Sequence, residues 1–297
     1  MLITVFTPTF NRAYIIESLY HSLRHQNFMD FEWIVVDDGS VDNTHILLNQ
    51  WTSASNPFAI TYLSVRNGGK HRAINKGVQI ARGELFFIVD SDDRLTDHSL
   101  ERVAKVAASI PEVDKDSFAG VCGDRGSMLN SPIGGGWKAA EYLDITVLQR
   151  DQYGITGDKA EVFFTSVLRQ YPFPEFEGEN FISESIVWDR IAFDGYKMRF
   201  FNEVIYLCEY LPDGLTNNIA NHVKSSPRGY GKYISQSVSY GKISGFDKWR
   251  WYLGYYYKLR DQMSVGQIAA YLNENKSILY AGLAIMRIAG RIGNSKN

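Results

Sequence analysis

The chain has 297 residues, 45% hydrophobic and 22% charged, with a formal net charge of −2 at pH 7, values that fit an ordinary globular protein and exclude a disordered one. Cys122 and Cys208 are too few for a disulfide framework or a zinc ribbon, and no uncharged apolar run reaches the roughly 18 residues of a membrane span. The N-terminus opens on a strand pattern with no basic n-region, so no secretory leader is expected and the two thiols read as core residues of a reducing cytosol.

The first hundred residues alternate strand and helix patterns. Residues 2–7 read as a strand that passes through Pro8, Asn11 and Arg12 into a helix over 13–25, with Ile15, Ile16, Leu19, Tyr20 and Leu23 on one face. A second apolar run, 31–37, enters Asp37-Asp38-Gly39-Ser40, and Val41-Asp42-Asn43-Thr44 offers cap residues for a helix over 42–51. A strand over 59–65, turn residues Asn67-Gly68-Gly69 and a helix over 70–81 follow. The strand 84–90 then carries Phe86-Phe87-Ile88-Val89 straight into Asp90-Ser91-Asp92-Asp93, before a helix over 96–108. This alternation predicts a parallel sheet with right-handed crossovers and helices on both faces.

Both aspartate clusters fall where such sheets bind ligands, at the carboxyl ends of strands. Three adjacent carboxylates repel one another unless a cation joins them. Hard oxygen ligands suit Mg²⁺ or Mn²⁺, which complete their shells with substrate phosphates. The competing reading is an acidic turn that caps the next helix.

Beyond residue 110 the pattern is less regular. It offers strands at 118–121 and around 162–164, a glycine loop at 134–136, a helix over 182–193 and short strands over 198–201 and 204–210. The C-terminal part is different in kind. From His222 onward twelve Lys/Arg stand against three Asp/Glu, a net of +9, which leaves −11 on the first 221 residues. Trp249-Arg250-Trp251-Tyr252 and Tyr255-Tyr256-Tyr257 precede a helix expected from a cap at Ser264 to about residue 292, whose apolar stretch 278–286 is too short to cross a bilayer. Aromatics and cations beside an apolar helix suit peripheral contact with a membrane surface through 222–297; helices packed on the rest of the protein are the alternative.

Thr7-Pro8-Thr9-Phe10-Asn11-Arg12, Val36-Asp37-Asp38-Gly39-Ser40 and Asp90-Ser91-Asp92-Asp93, with Asn67-Gly68-Gly69-Lys70, Ala73, Asn75 and Gly77 between the last two, resemble the signatures of glycosyltransferase family 2. The resemblance is tight over residues 1–100 and loose to about 215. It implies the GT-A fold, a Rossmann-like α/β domain with a mostly parallel central sheet and helices on both faces, here followed by a helical C-terminal extension. The domain would span 1–215, with a nucleotide-sugar half at 1–100 and an acceptor half at 101–215, and the basic, aromatic extension 216–297. The activity implied is a metal-assisted, inverting transfer of a sugar from a nucleotide diphosphate, UDP in first place, to a hydroxyl of a growing surface glycan. In many bacterial relatives that build capsule, exopolysaccharide or O-antigen, this glycan is carried on a lipid diphosphate. No nucleic acid is implied as a partner.

Carried over residue by residue, the resemblance assigns Asp92, Asp90 and Asp93 to the metal, Mn²⁺ or Mg²⁺, with Asp90 and Asp92 also near the donor. Asp38 would accept the uracil N3–H, Thr7 and Pro8 would line the base pocket, and Asn11 and Arg12 would approach the donor. The family's usual Arg before the Asn matching Asn75 is replaced by Ile74, so Lys70 is the candidate diphosphate contact, with His71 and Arg72 beside it. A helix starting near Lys70 also aims backbone N–H groups at a diphosphate. Ser183-Glu184 stands where the family has Glu-Asp, 92 residues past Asp92, making Glu184 the candidate general base; Glu179 and Glu177 are reserves. His222, past Gly214-Leu215-Thr216, is a further diphosphate candidate. Two rival functions remain: a nucleotidyltransferase, against which the absence of a glycine-rich loop after the first strand argues, and a non-catalytic nucleotide- or carbohydrate-binding protein, against which the complete acid set argues.

Overall fold

The strands β1 (Ile3–Thr9) and β2 (Phe31–Asp37) are buried at every position, which is why they read as nearly unbroken apolar runs. The structure, a computed structural model, describes residues 1–135, 140–208 and 223–294, with side chains to residue 286. The chain divides into two compact units, Met1–Phe173 with Arg190–Pro212, and Pro174–Asp189 with Asp213–Asn297. The segment 174–189, expected in the acceptor half, thus belongs to the second unit, and the expected boundary at 215 lies outside the described residues.

The first unit is built on one sheet. Its remaining strands are β3 (Ala59–Ser64), β4 (Leu85–Ile88), β5 (Arg94–Leu95), β6 (Phe118–Ser127), β7 (Leu143–Ile145), β8 (Lys159–Phe164) and β9 (Lys197–Cys208). They run in the order β3-β2-β1-β4-β8-β6-β9-β5, with β7 paired to β9. The pairs among β1 to β4 are parallel, as the alternating pattern predicts; β8 then pairs antiparallel with both β4 and β6. The helices of the first half are α1 (Ile16–Arg24), α2 (Thr44–Ser53), α3 (Lys70–Ile80) and α4 (Ser99–Ala108), close to the spans read from periodicity. Helix α3 lies against β1 and β2, and Gly77 makes that approach possible, since a Cβ there would collide with the Phe6 ring. Phe6 in turn stacks on Phe86 at 5.1 Å, tying the two strands that carry the site.

Two expectations in this unit change. The strand expected at 118–121 continues to Ser127, and the two short strands over 198–210 are one strand, β9. The exposed pair Asn202-Glu203 broke the apolar pattern, but the ladder absorbs it. Cys122 pairs with Phe200 and Asp124 with Val204, so β9 carries extra residues there as a bulge.

After the short helix α5 (Thr165–Leu168), α6 (Ser185–Phe193) divides between the units. The second unit is helical. Its helices α7 (Pro227–Ser239), α8 (Gly245–Leu259), α9 (Val265–Tyr271) and α10 (Lys276–Asn294) enclose a core of Ile234, Tyr252, Tyr255, Leu259, Ile268, Leu272, Leu279 and Leu283. Ser264 caps α9 through a reciprocal box with Gln267, as expected. The single helix expected from there is two. Asn273 turns into the left-handed region at φ 51°, and the Asn275 carboxamide accepts the Ser277 N–H at 2.8 Å to start α10. Among the described residues, no helix is long and apolar enough to cross a membrane.

Candidate active site

The loops that leave β1 and β2 are stitched together by the residues the motifs single out. Asp37 closes its own turn, accepting the Ser40 N–H (2.8 Å), the Ser40 hydroxyl (2.6 Å) and the Tyr62 hydroxyl (3.1 Å), while Gly39 takes φ +83°. Asn11, itself at φ 53°, donates its N–H to Ser40 Oγ (2.8 Å) and accepts the Val41 N–H on its side chain (2.8 Å). Thr7, expected on the base pocket wall, is fully buried with its hydroxyl accepting the Trp33 indole N–H (2.9 Å), and Pro8 is buried beside it.

Asp38, expected at the nucleotide base, has both carboxylate oxygens engaged within the protein. Oδ1 accepts the Gly68 N–H at 2.8 Å, and Oδ2 accepts the Gly69 N–H at 2.7 Å and the Asn67 amide at 3.2 Å. Burial pushes this carboxyl up from its ordinary value, and the two glycine amides pull it back only in part. Asp38 thereby fixes the loop 67–69. Gly69, at φ 97°, is the N-cap of α3, and the next residue is Lys70.

Lys70 reaches across to the end of β4, where its ammonium meets Asp90 Oδ1 at 2.6 Å, each side chain about a quarter exposed (24% and 25%). Arg12 comes from the β1 loop to 4.0 Å from Asp92 Oδ2. A third cation was not anticipated: Arg125, on β6, lies 4.3 Å over the Tyr206 ring. The Tyr206 hydroxyl accepts the Asp90 N–H (2.9 Å) and donates to Asp93 Oδ2 (2.7 Å). The electrostatics follow. Burial opposes the Asp90 charge, but Lys70, then Arg125 and Arg12, hold its carboxyl below the usual value. Burial and the neighbouring Asp90 charge push Asp92 up. The same two causes push Asp93, buried against Tyr206, up to about 7. The three acids therefore differ: Asp90 is firmly ionised, Asp92 is reachable, and Asp93 is turned into the protein. Asn75, of the linking motif, has a structural task, exchanging hydrogen bonds with the Phe173 backbone (2.8 and 3.0 Å).

Carboxylate oxygens on Asp90 and Asp92 beside cations are the right chemistry for a divalent ion shared with phosphates. Among the described residues, no three His, Cys, Asp or Glu side chains form a closed cage. Asp90, Asp92 and Asp93, expected to share the ion, are thus not gathered as a three-acid group; Mg²⁺ or Mn²⁺ held by one or two carboxylates plus substrate needs none.

In the second unit, Glu184 immediately precedes α6, its carbonyl accepting the Val187 and Trp188 N–H groups (2.9 and 3.1 Å), and its Oε1 is withdrawn from solvent. The reserve candidate Glu179 is committed elsewhere: buried, it accepts the Arg228 N–H (2.9 Å) and the Gly229 N–H (2.8 Å) at the start of α7. Asp189 pairs with Lys242 at 2.7 Å. His222 lies outside the described residues. The residues that sequence reasoning missed are Arg125 and Tyr206. Their signal was present, as Asp124-Arg125 interrupts an otherwise apolar strand and the two long-range partners sit on different strands.

The sequence pattern of Glycosyl transferase family 2 matches residues 4–155, more than half of the chain. Similar proteins include "Glycosyltransferase GlyG" of Streptococcus pneumoniae, 32% identical over 120 residues that cover 40% of this chain and 38% of the relative. Another is "Putative teichuronic acid biosynthesis glycosyltransferase TuaG" of Bacillus subtilis, 35% identical over 101 residues that cover 34% of this chain and 40% of the relative. The chain thus spans about two fifths of these relatives' lengths. Among solved structures, S. aureus TarS in complex with UDP superposes with a TM-score of 0.59 at 18% identity, covering 87% of this chain and 71% of that one. The mannosyltransferase PcManGT of Pyrobaculum calidifontis, in complex with GDP-Man and Mn²⁺, gives 0.56 at 18% identity, covering 98% and 75%. These structural likenesses carry the GT-A fold. With the motif residues gathered at the carboxyl ends of β1, β2 and β4 and the family pattern running through all of them, the chain belongs to glycosyltransferase family 2.

Proposed function

We propose that the protein transfers a sugar, with inversion, from a UDP-sugar to a hydroxyl of a growing surface glycan, one carried on a lipid diphosphate. The observation that carries the reading is the facing arrangement of Lys70 with Asp90 and Arg12 with Asp92 at the head of α3, a cation–acid cluster suited to a metal-bound diphosphate. Asp92 and Asp90 hold Mn²⁺ or Mg²⁺, and Asp93, through Tyr206, fixes the loop that presents them. The ion, when bound, supplies charge stabilisation to the departing diphosphate. Lys70 and Arg12 bind its oxygens, and the first amides of α3 add their dipoles. Thr7, Pro8, Asn11 and Asp38 shape the donor end. Glu184 takes the proton from the acceptor hydroxyl; its place in the family pattern supports this.

UDP as the nucleotide follows TarS, solved with UDP and with UDP-GlcNAc, although PcManGT was solved with GDP-Man, so the nucleotide stands as part of the proposal. The same reading places the protein in the cytoplasm, with 222–297 touching the inner face of the membrane. Exposed Ile278, Tyr280 and Ile285 on α10 and the net +9 of this segment support that contact.

A panel of nucleotide sugars assayed with and without Mn²⁺ tests the proposal. In Asp92→Asn, metal enhancement of UDP binding should disappear. In Glu184→Gln, UDP should bind normally while transfer slows at least about a hundredfold. Equal metal enhancement in Asp92→Asn, or wild-type transfer in Glu184→Gln, overturns the corresponding role.

A further inference from the structure

The second unit carries a cleft that the transfer chemistry does not use. Asp247, Arg250, Trp251, Gly254 and Lys258 line it from one stripe of α8, spaced three to four residues apart as one helical face requires. Tyr230 of α7 and Tyr255 close the other side, their rings stacked at 6.2 Å with an interplanar angle of 18°. The Tyr255 hydroxyl is anchored on the Pro227 carbonyl at 2.6 Å, so this wall is rigid. The cleft has a volume of about 560 Å³, within the range of small-ligand sites.

Gly254 is the informative residue. A glycine in the middle of a helix costs stability, so a reason for it is expected. At two other helix glycines of this unit the reason is packing. A Cβ at Gly231 would lie 2.8 Å from the Tyr255 hydroxyl, and one at Gly282 would strike the Trp249 ring. At Gly254 a Cβ would meet nothing within 4 Å, and the space it would enter is the floor of the cleft. The helix gives up a side chain where no atom of the described residues requires it, and the exposed backbone is left open to close approach from outside.

The lining selects the occupant. It contains no aliphatic side chain, so it offers little to an amphipathic helix or a lipid tail. It has an exposed indole face, Trp251 at 37%, which suits the apolar face of a pyranose ring. Asp247 accepts from ring hydroxyls. Arg250 and Lys258 supply positive charge for an acid on the ring. Arg250 and Asp247 are paired only at 3.5 Å and both are 68% exposed, so their bond yields readily to a ligand. We propose that this cleft is a saccharide-binding site for an anionic glycan, a chain of pyranose rings bearing carboxylates or phosphodiesters, separate from the donor site.

The test uses the full chain and calorimetric titration with three probes of equal length: oligogalacturonate, a phosphodiester-linked oligosaccharide and neutral maltoheptaose. The wild type should bind one of the two anionic probes at least about tenfold more tightly than the neutral one, which also distinguishes the two sources of charge. Gly254→Leu fills the floor and favours the helix, so it should melt no lower than the wild type yet weaken that binding at least about tenfold. Arg250→Gln/Lys258→Gln should weaken it and flatten its salt dependence. UDP affinity, read in parallel, should stay at the wild-type value in both, so that failure of the donor site is scored apart. Wild-type affinity in Gly254→Leu overturns the proposal, as does binding of none of the three probes. Tighter binding of a single-stranded oligonucleotide, or loss of anionic-liposome binding in these variants with saccharide binding intact, overturns it in favour of those partners.

Discussion

Asp38→Asn separates two roles for the same carboxylate. If it reads the nucleotide base, the change alters nucleotide preference and leaves the fold as stable as before. In the structure it is the receiver of two backbone donors, Gly68 N–H at 2.8 Å and Gly69 N–H at 2.7 Å, and it is 6% exposed. Hydrogen bonds to a charged group contribute about 1.5–3 kcal/mol each. Asparagine keeps one acceptor oxygen and turns an NH₂ toward the other donor, so one such bond is lost and a buried N–H is left unsatisfied. Part of this is offset, because burial already disfavours the Asp38 charge. A net loss of about 2 kcal/mol follows, or about 4–8 °C in melting temperature for a unit of this size. The loop it holds leads directly into Lys70, so UDP affinity should fall along with stability, and for GDP by the same factor. Thermal unfolding by circular dichroism and titration with both nucleotides decide the matter. A melting temperature within about 1 °C of wild type, with a changed UDP-to-GDP preference, would refute the loop-anchoring role.

Three further outcomes are expected. Lys70→Gln should weaken UDP at least about tenfold while leaving the melting temperature nearly unchanged, since its pair with Asp90 is a quarter exposed; unchanged UDP affinity removes Lys70 from the diphosphate. Asp93 titrates at about 7 in the folded protein, above the roughly 3.9 of an unfolded aspartate, so the stability it contributes is complete at low pH and is lost as pH rises through 7. Asp93→Asn, measured in EDTA, should therefore flatten the decline in melting temperature between about pH 4 and 7, and parallel curves for the two proteins contradict the assignment. Ile278→Asp/Ile285→Asp should lower co-sedimentation with anionic liposomes at low salt; a wild-type protein that stays in the supernatant there shows that α10 is a packing element.

The first half of the fold was legible because each element has one dominant physical signature. Buried parallel strands are continuous apolar runs, and α1 and α3 show clean stripes. The second half was less legible because its information is pairwise. Nothing local in Asn202-Glu203 announces a bulge that lets β9 run on, and nothing local in Asn273 tells a helix break from a polar surface position. The site divides in the same way. The aspartates and Lys70 stand in recognisable strings, but the partition of work among the acids depends on which one faces Tyr206, a residue 113 positions from Asp93. Asp38 shows the limit of motif transfer, since its oxygens meet glycine amides that the string alone does not orient.

Strand β6 has a consequence for how this protein tolerates change. Asp124 is held by Lys159 at 2.6 Å in a nearly dry pair, while the adjacent Arg125 lies over Tyr206 and lends its charge to Asp90. One register shift precedes Asp124 and another falls between Asp124 and Arg125, so their aim is set by counting along the strand. Adding one residue upstream would advance the acid into the cation's place. The cluster would then lose a positive charge and gain a negative one next to acids that already repel, and Lys159 would lose its buried partner at the same time. In a stretch with no reacting atom in it, spacing is therefore as strict a requirement as residue identity.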